Sequence, residues 1–442
     1  MRTLFAIAVA VVISLPILPC MNAQTTVPST FFAMDINKNN NVDGITNDPW
    51  PTQVGVSFGV YRTLGSAIKW SDIDNGNGTY NWTRLDAWLS QVQSGQLVMF
   101  TAYWTPTLES GVPTDPCGHS GGLFPAGGCD LPSDVDTTDQ YWKTFISELL
   151  NHVINTFGSD KISAIEVWNE PNNSSECDPP ADGGNCTPAR LARMTADAKT
   201  VAKAIDPNIL IISPPVTENA GTGQIDNFFN ELLAAGIAGD ADILGFHGYS
   251  GPSASYWITL INSVYSDMAT YGATNPVYDT EGSYGPDMLT NSDEDQAFLA
   301  SYYLIQAGYL SQKFEGFSWY GWDFAGTNLW DFTNGVILPP GTAYVNVYQW
   351  IVGAHPVGQC FNPSGYPTSV WACNYTRSGG FQAQAVWDDS QTCSDQGTCT
   401  FRMYAPPAGT VAYRDLNGGL HSVATSNLMI GLKPIFLENQ SR

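Results

Sequence analysis

The chain has 442 residues, enough to bury a substantial core in one large domain with a small one beside it. Lys and Arg total 17 against 41 Asp and Glu, a net charge of −24 and a pI near 4.2, which repels nucleic acid and anionic membranes and favours neutral partners. Aromatic residues reach 12% while charged residues are only 13%, a balance that fits either a large aromatic core or rings that stack on sugar faces.

Residues 1–23 carry a basic residue at Arg2, an apolar stretch from Leu4 to Leu18 and a small residue at Ala23. This is the pattern of a cleaved secretory signal, so an exported protein, extracellular or periplasmic, is expected. The stretch is short for a spanning helix, and Pro16 and Pro19 interrupt its end. Cys20 as a lipid-anchored first residue is the alternative, disfavoured by Pro19 where a small residue is required. No other window approaches a membrane span.

Eight apolar runs of parallel-strand type follow, beginning at Phe31, Gly59, Leu97, Ile162, Ile209, Asp242, Pro276 and Phe314. Between and after them, apolar residues spaced three and four apart predict helices around 82–92, 145–157, 191–205, 228–233, 260–268, 298–310 and 344–352. The alternation predicts a (β/α)8 TIM barrel over residues 24–354. After Gly353 the runs FQAQAVW, TFRMYA and GTVAYRDL, set between Gly, Pro, Asn and Asp, predict a small antiparallel β-sandwich over 355–442. It shows no row of aromatics to expose, so a structural role is expected, with QTTVPST at 24–30 lending it a strand.

Apart from Cys20 the cysteines fall as near neighbours: 117 with 129, 177 with 186, 360 with 373, and 393 with 399. In an exported chain these read as disulfides, and local pairing is expected among the 105 connectivities that eight cysteines allow. None of the pairs is a CxxC, and His119 is the one histidine near any of them, so neither a metal nor a cofactor is expected. The first two pairs lie in the long loops 107–136 and 172–188, which would shape the barrel mouth.

Two strand ends carry chemistry. AIEVWNEPNN at 164–173 closes an apolar run with Asn169, Glu170 and Pro171, and NPVYDTEGSYG at 275–285 closes another with Glu281. Pro171 ending a buried strand before an Asn172–Asn173 turn accounts for the first alone, but not for both. In a barrel of this kind the active site is built at the C-terminal ends of the strands, so both glutamates face one opening. A pair of carboxyls about 5 Å apart is what a retaining glycosidase needs. Glu170 is expected to act as acid and base, its pKa raised by the like charge of Glu281, the nucleophile. Asn169, held at the bend by Pro171, is placed to hydrogen-bond a sugar 2-hydroxyl.

WNEP at 168–171 with a later strand ending in TEG at 280–282 resembles clan A of the glycoside hydrolases, and within it family 39, which includes β-xylosidases and related endo-acting enzymes. YRTLGSAIKW at 61–70, GTYNWTRLDAWL at 78–89 and FHGY at 246–249 extend the likeness over most of residues 31–354. The resemblance implies that Arg62 orders the nucleophile, unless it only pairs with a structural acid. It implies that His247 and Tyr249 contact Glu281 or the sugar, and that Trp319 or Trp322 forms the stacking platform, the other being core. Many clan members place a histidine at the end of the third strand, where this chain has Tyr103 and Trp104, so substrate choice does not carry over. A monomer acting on a poly- or oligosaccharide is expected. A non-catalytic carbohydrate-binding protein on the same fold and a transglycosylase are the competing readings.

Overall fold

In the computed structural model, which describes residues 26–440 apart from 45–46, 118–124, 220, 250, 252, 285–291, 395–397 and 424–425, the apolar runs form short parallel strands. They are β1 (Phe32–Asp35), β2 (Val60–Arg62), β3 (Leu97–Ala102), β4 (Ala164–Val167), β5 (Leu210–Ile212), β6 (Leu244–Gly248), β7 (Val277–Gly282) and β8 (Phe314–Trp319). The export signal at 1–23 and His119 lie outside the described residues.

The helices between them bury the stripes that their spacing defines: α1 (Thr83–Leu89), α2 (Gln140–Phe157), α3 (Pro188–Ile205), α4 (Phe228–Ala234), α5 (Ala254–Thr270), α6 (Ser292–Ala307) and α7 (Pro339–Ile351). In α3 the side chain of Thr187 accepts a hydrogen bond from the Arg190 amide at 3.3 Å and Pro188 occupies the first turn, so both local start signals agree. Leu191, Met194, Ala198 and Ala202 then face the sheet. Among the described residues no helix is long and apolar enough to cross a membrane.

Strand neighbours run β5-β4-β3-β2-β1-β8-β7-β6, all parallel. Beyond Pro214 and Pro215 the chain resumes as the strand Val216–Asn219, which pairs parallel with β6 through Val216 and Phe246. A parallel bridge joins Ile212 to Ile243, with Ser213 N donating to Ile243 O at 3.0 Å. The sheet therefore curls until its two ends meet, a TIM-barrel-like arrangement.

The curl encloses a layer of side chains. Ala33, Val60, Met99, Ala164, Ile212, Ile243 and Tyr278 form one apolar cluster inside it. Strand side chains return to the same face every second residue, so two positions further along β1 to β4 this plug gives way to Asp35, Arg62, Thr101 and Glu166. All four are buried. A charged layer thus sits directly above an apolar floor.

The antiparallel elements begin at His355. A six-stranded sheet has the order His355–Pro356, Val370–Arg377, Phe381–Asp388, Ile435–Glu438, Ala412–Arg414, Leu420–Ser422, and a two-stranded sheet pairs Arg402–Tyr404 with Leu428–Ile430. One face of the larger sheet packs on the helices: Phe436 stacks on Trp350 at 5.2 Å, and Tyr375 donates its hydroxyl to Leu304 O at 3.2 Å. The strand expected from residues 24–30 does not form among the described residues. Val27 instead exchanges backbone hydrogen bonds with Gly353 and Ala354, and Ser29–Phe31 makes a 3-10 turn into β1, so this segment belongs to the curled sheet's base. The four cysteine pairs join as expected, with Cα separations of 5.5, 5.5, 4.3 and 4.0 Å.

Candidate active site

The site lies where β1, β2, β4, β6 and β7 end. Trp168 N makes the last ladder bond of β4, to Ala102 O at 2.9 Å, after which Pro171 offers no N–H to continue it. The turn is tight: Trp168 and Glu170 adopt φ of +65° and +39°, and across the sheet Trp104 adopts +61°. Left-handed backbone at non-glycine residues costs of order 1–3 kcal/mol each and persists where surrounding contacts over-determine it. Here one residue supplies those contacts. Glu176 accepts from Trp104 Nε1 at 2.9 Å through its carboxylate and from Trp168 Nε1 at 2.8 Å through its carbonyl.

Arg62 is the centre of the charged layer and is wholly buried. Its Nε donates to Glu166 Oε2 at 2.8 Å, its Nη2 to Asn169 Oδ1 at 3.0 Å, and its Nη1 to Glu281 Oε2, with Asp35 Oδ1 3.6 Å away. Burial opposes its charge, but Glu166, Asp35 and Glu281 outweigh that and hold its pKa above the ordinary value. Burial pushes Asp35 well up, against the pull of Arg62. Arg62 therefore does not pair with buried acids alone but also with Glu281.

Tyr249 donates its hydroxyl to Glu281 Oε1, so both oxygens of Glu281 are held. His247 lies between the two glutamates: Nδ1 is 2.8 Å from Glu170 Oε1, and Nε2 is 3.4 Å from Arg62 Nη2. Arginine only donates, so Nε2 accepts and Nδ1 carries the proton that goes to Glu170. Burial lowers the His247 pKa to about 4, so the ring is neutral at ordinary pH. Glu170 is raised, with burial the leading cause, opposed by Arg62 and by a hydrogen bond from Asn173. The like charge expected from Glu281 is not the source of that shift. One oxygen of Glu170 and one of Glu281 lie within 4.8 Å of each other.

Glu170, Glu281, Asn169, Arg62, His247 and Tyr249 therefore come together, although residues 62 and 281 are 219 positions apart. Trp319 and Trp322 do not supply the open aromatic face expected of them. Both are fully enclosed, their indole N–H groups donating to Thr327 O and Pro49 O at 3.0 Å. At this strand end Tyr320 keeps some exposure and packs at 4.8 Å on Phe324, whose ring is exposed. Sequence reading also missed Asp35, Glu166 and Glu176. Burial, followed by the charge of Glu170, raises the Glu176 pKa to about 8. The signal for Glu166 was its place four residues before Glu170 in an otherwise apolar strand.

Loops 107–136 and 172–188 meet beside this mouth. The Asn185 side chain accepts from Leu131 N at 2.6 Å and donates to Leu131 O at 2.8 Å, while Asp178 N donates to Cys129 O at 3.0 Å. Each loop is stapled by its own disulfide and then tied to the other.

Glu170, His247 and Glu281 offer ligand atoms at a spacing that a metal ion can use. His247 and both oxygens of Glu281 are, however, already hydrogen-bonded within the site, to Arg62, Tyr249 and Glu170. Two other acid and cysteine groups contain Cys117 with Cys129 and Cys393 with Cys399, whose sulfurs are bonded to one another and give no thiolate.

No family model and no curated protein matches the chain. Solved structures do match in fold. A glucosidase from Croceicoccus marinus superposes with a TM-score of 0.60 at 14% identity, covering 94% of this chain and 96% of that one. A monomeric β-xylosidase from Caulobacter crescentus gives 0.57 at 15%, covering 94% and 97%. The GH39 enzyme from Xanthomonas axonopodis pv. citri gives 0.56 at 16%, covering 94% and 95%. The chain shares the fold of clan A glycoside hydrolases, which GH30 xylanases and a GH51 arabinofuranosidase among the matches also have.

Proposed function

We propose that the protein is an exported, monomeric retaining glycoside hydrolase acting on a poly- or oligosaccharide, its curled sheet a (β/α)8 barrel and its C-terminal sheets a β-sandwich. The carrying observation is the pair of glutamates at the ends of β4 and β7, with oxygens within 4.8 Å and different neighbours. That spacing supports the retaining reading, since the carboxyls of an inverting enzyme stand roughly 6.5–9.5 Å apart to admit a water.

Glu281 is the nucleophile. Tyr249 and Arg62 hold its two oxygens and so aim the carboxylate at the anomeric carbon. Glu170 is the acid and base. His247 donates to its Oε1, which leaves Oε2 to carry the proton delivered to the leaving oxygen. Burial favours the protonated form of that carboxyl. Once the glycosyl-enzyme has formed, Glu170 takes a proton from the incoming water and the sugar leaves with its configuration retained. Asn169, aligned by Arg62, is placed for the sugar 2-hydroxyl, and Tyr320 is a ring available for a sugar face.

The test is hydrolysis of xylans, glucans, galactans and arabinans by the purified protein, with the anomer first released read by NMR. Retained configuration in the first product is expected. An inverted first product, or turnover of none of these glycans, overturns the proposal.

A further inference from the structure

A second concavity lies on the C-terminal sheet, on the face turned away from the helices. Side chains of neighbouring strands share a face in registered pairs, here Ala372 with Val386, Asn374 with Gln384 and Thr376 with Gln382, with Leu437 opposite Gln384 on the next strand. Along this one face the chemistry switches abruptly. Val370, Val386 and Leu437 cluster with Tyr404 and Ile430 of the two-stranded sheet, which covers them. Where that cover stops, the same strands present Asn374, Thr376, Gln382, Gln384 and Asn439 instead.

Val357 and the Pro407–Thr410 turn wall this uncovered half into a cavity of about 360 Å³. None of its lining residues is charged, in a chain that carries 41 acidic side chains. The amides are partly preset: Tyr404 donates its hydroxyl to Gln384 Oε1 at 2.6 Å, and Gln384 Nε2 donates to Asn374 Oδ1 at 2.9 Å. Asn439 is fixed as well, accepting from Gln382 N at 2.9 Å. Among the described residues nothing hydrogen-bonds the carboxamide of Gln382 itself. An ordinary solvated sheet face explains polar side chains, but not a walled cavity from which every charge is missing.

We propose that this groove is a non-catalytic binding site for a neutral polysaccharide chain, holding the polymer while the barrel works on it. Carboxamides and hydroxyls both donate and accept, which matches the vicinal hydroxyls of a sugar. Val357 and Pro407 offer apolar surface to its C–H faces. A charged ligand is disfavoured because no lining group neutralises it, and an anion is further repelled by the −24 net charge. The proposal rests on the reading of the protein as a glycan-active enzyme.

The test uses the full chain, as wild type, as Asn374→Ala/Gln382→Ala, and as Ala408→Trp, which fills the cavity without removing a polar group. Each is assayed for retention on insoluble xylan, β-glucan and galactan and for hydrolysis of short soluble oligosaccharides. Both variants are expected to lose retention by about fivefold or more, as deletion of ligand hydrogen bonds predicts, with hydrolysis of soluble substrates unchanged. Retention unchanged in both, no retention by the wild type, or parallel loss on soluble substrates overturns the groove. Failure to hydrolyse any glycan, with groove-dependent retention intact, overturns the enzyme reading and leaves the groove standing.

Discussion

The mouth of the curled sheet and the groove on the C-terminal sheet are both concave, yet they are built from opposite materials. At the mouth, Arg62 is packed with Asp35, Glu166 and Glu281, all buried, and the neutral His247 lies among them. In the groove no lining side chain is charged and the hydrogen-bonding groups are carboxamides. Removing charges from water is costly, and such groups persist only where partners compensate them. Amides cost far less to desolvate and bind without moving protons. On the proposed functions, the difference teaches that dense buried charge suits a site that moves protons, and neutral polarity suits one that only holds a chain.

The sharpest way to break the comparison is at Glu281. Glu281→Ala is expected to cut turnover on the order of 10⁴-fold or more, with azide restoring activity and giving an inverted glycosyl azide. A retained azide product would reassign the nucleophile. Next comes Glu170→Ala, which should cost about 10²–10⁴-fold on substrates with poor leaving groups and far less on activated aryl glycosides. Azide should then give retained product, since Glu281 still forms the intermediate. Equal losses on both substrate types, with chemistry limiting, would remove Glu170 from its role.

Arg62→Met tests whether the buried charges are interdependent. It leaves Glu166 and Asp35 enclosed without their cation and should lower folding stability by about 3–5 kcal/mol, read by denaturant unfolding. An unchanged midpoint would show that these acids are neutral or hydrated without Arg62. The histidine adds a pH dependence of definite sign. Its folded pKa, about 4, lies below the ordinary 6.5, so stability is complete above pH 6.5 and declines as pH falls toward 4. His247→Gln should flatten that decline, and an unaltered acid profile in the variant would exclude the ring as its source.

The smallest effect is expected at Glu176, which the mouth holds protonated below about pH 8. Raising the pH through that value puts a new negative charge beside Glu170, which resists loss of the Glu170 proton and so holds the alkaline limb of activity up. Glu176→Gln, which keeps an acceptor for Trp104 and cannot ionise, should move that limb downward. The same limb in the variant would trace it to Glu170 alone.

Much of the mouth was legible because its residues end apolar runs. Glu170 and Glu281 stand out where strands stop, whereas His247 and Tyr249, within FHGY, were picked out by the family resemblance. The direction in which Asp35 and Glu166 point was not legible, and Glu176 lies in the loop 172–188, where no pattern marked it. Strands of a parallel sheet are buried on both faces, so a polar residue inside one carries no mark of whether it points to the helices or into the curl. Trp319 and Trp322 failed for a related reason. Both belong to the strand end that was read, but a large ring is more often packed than presented, and the chain left Tyr320 half-buried and Phe324 exposed instead.

Local spacing in the sequence determined the order of strands and helices, the neighbouring cysteines that pair, and the strand ends that carry carboxylates. Each depends on periodicity or on contacts within a few residues. The tertiary structure alone decided that Arg62 would hold residues 104 and 219 positions away, and that a two-stranded sheet would cover only half of the C-terminal face. Those outcomes depend on the accumulated stagger and curl of many long-range strand pairings, which no single segment encodes.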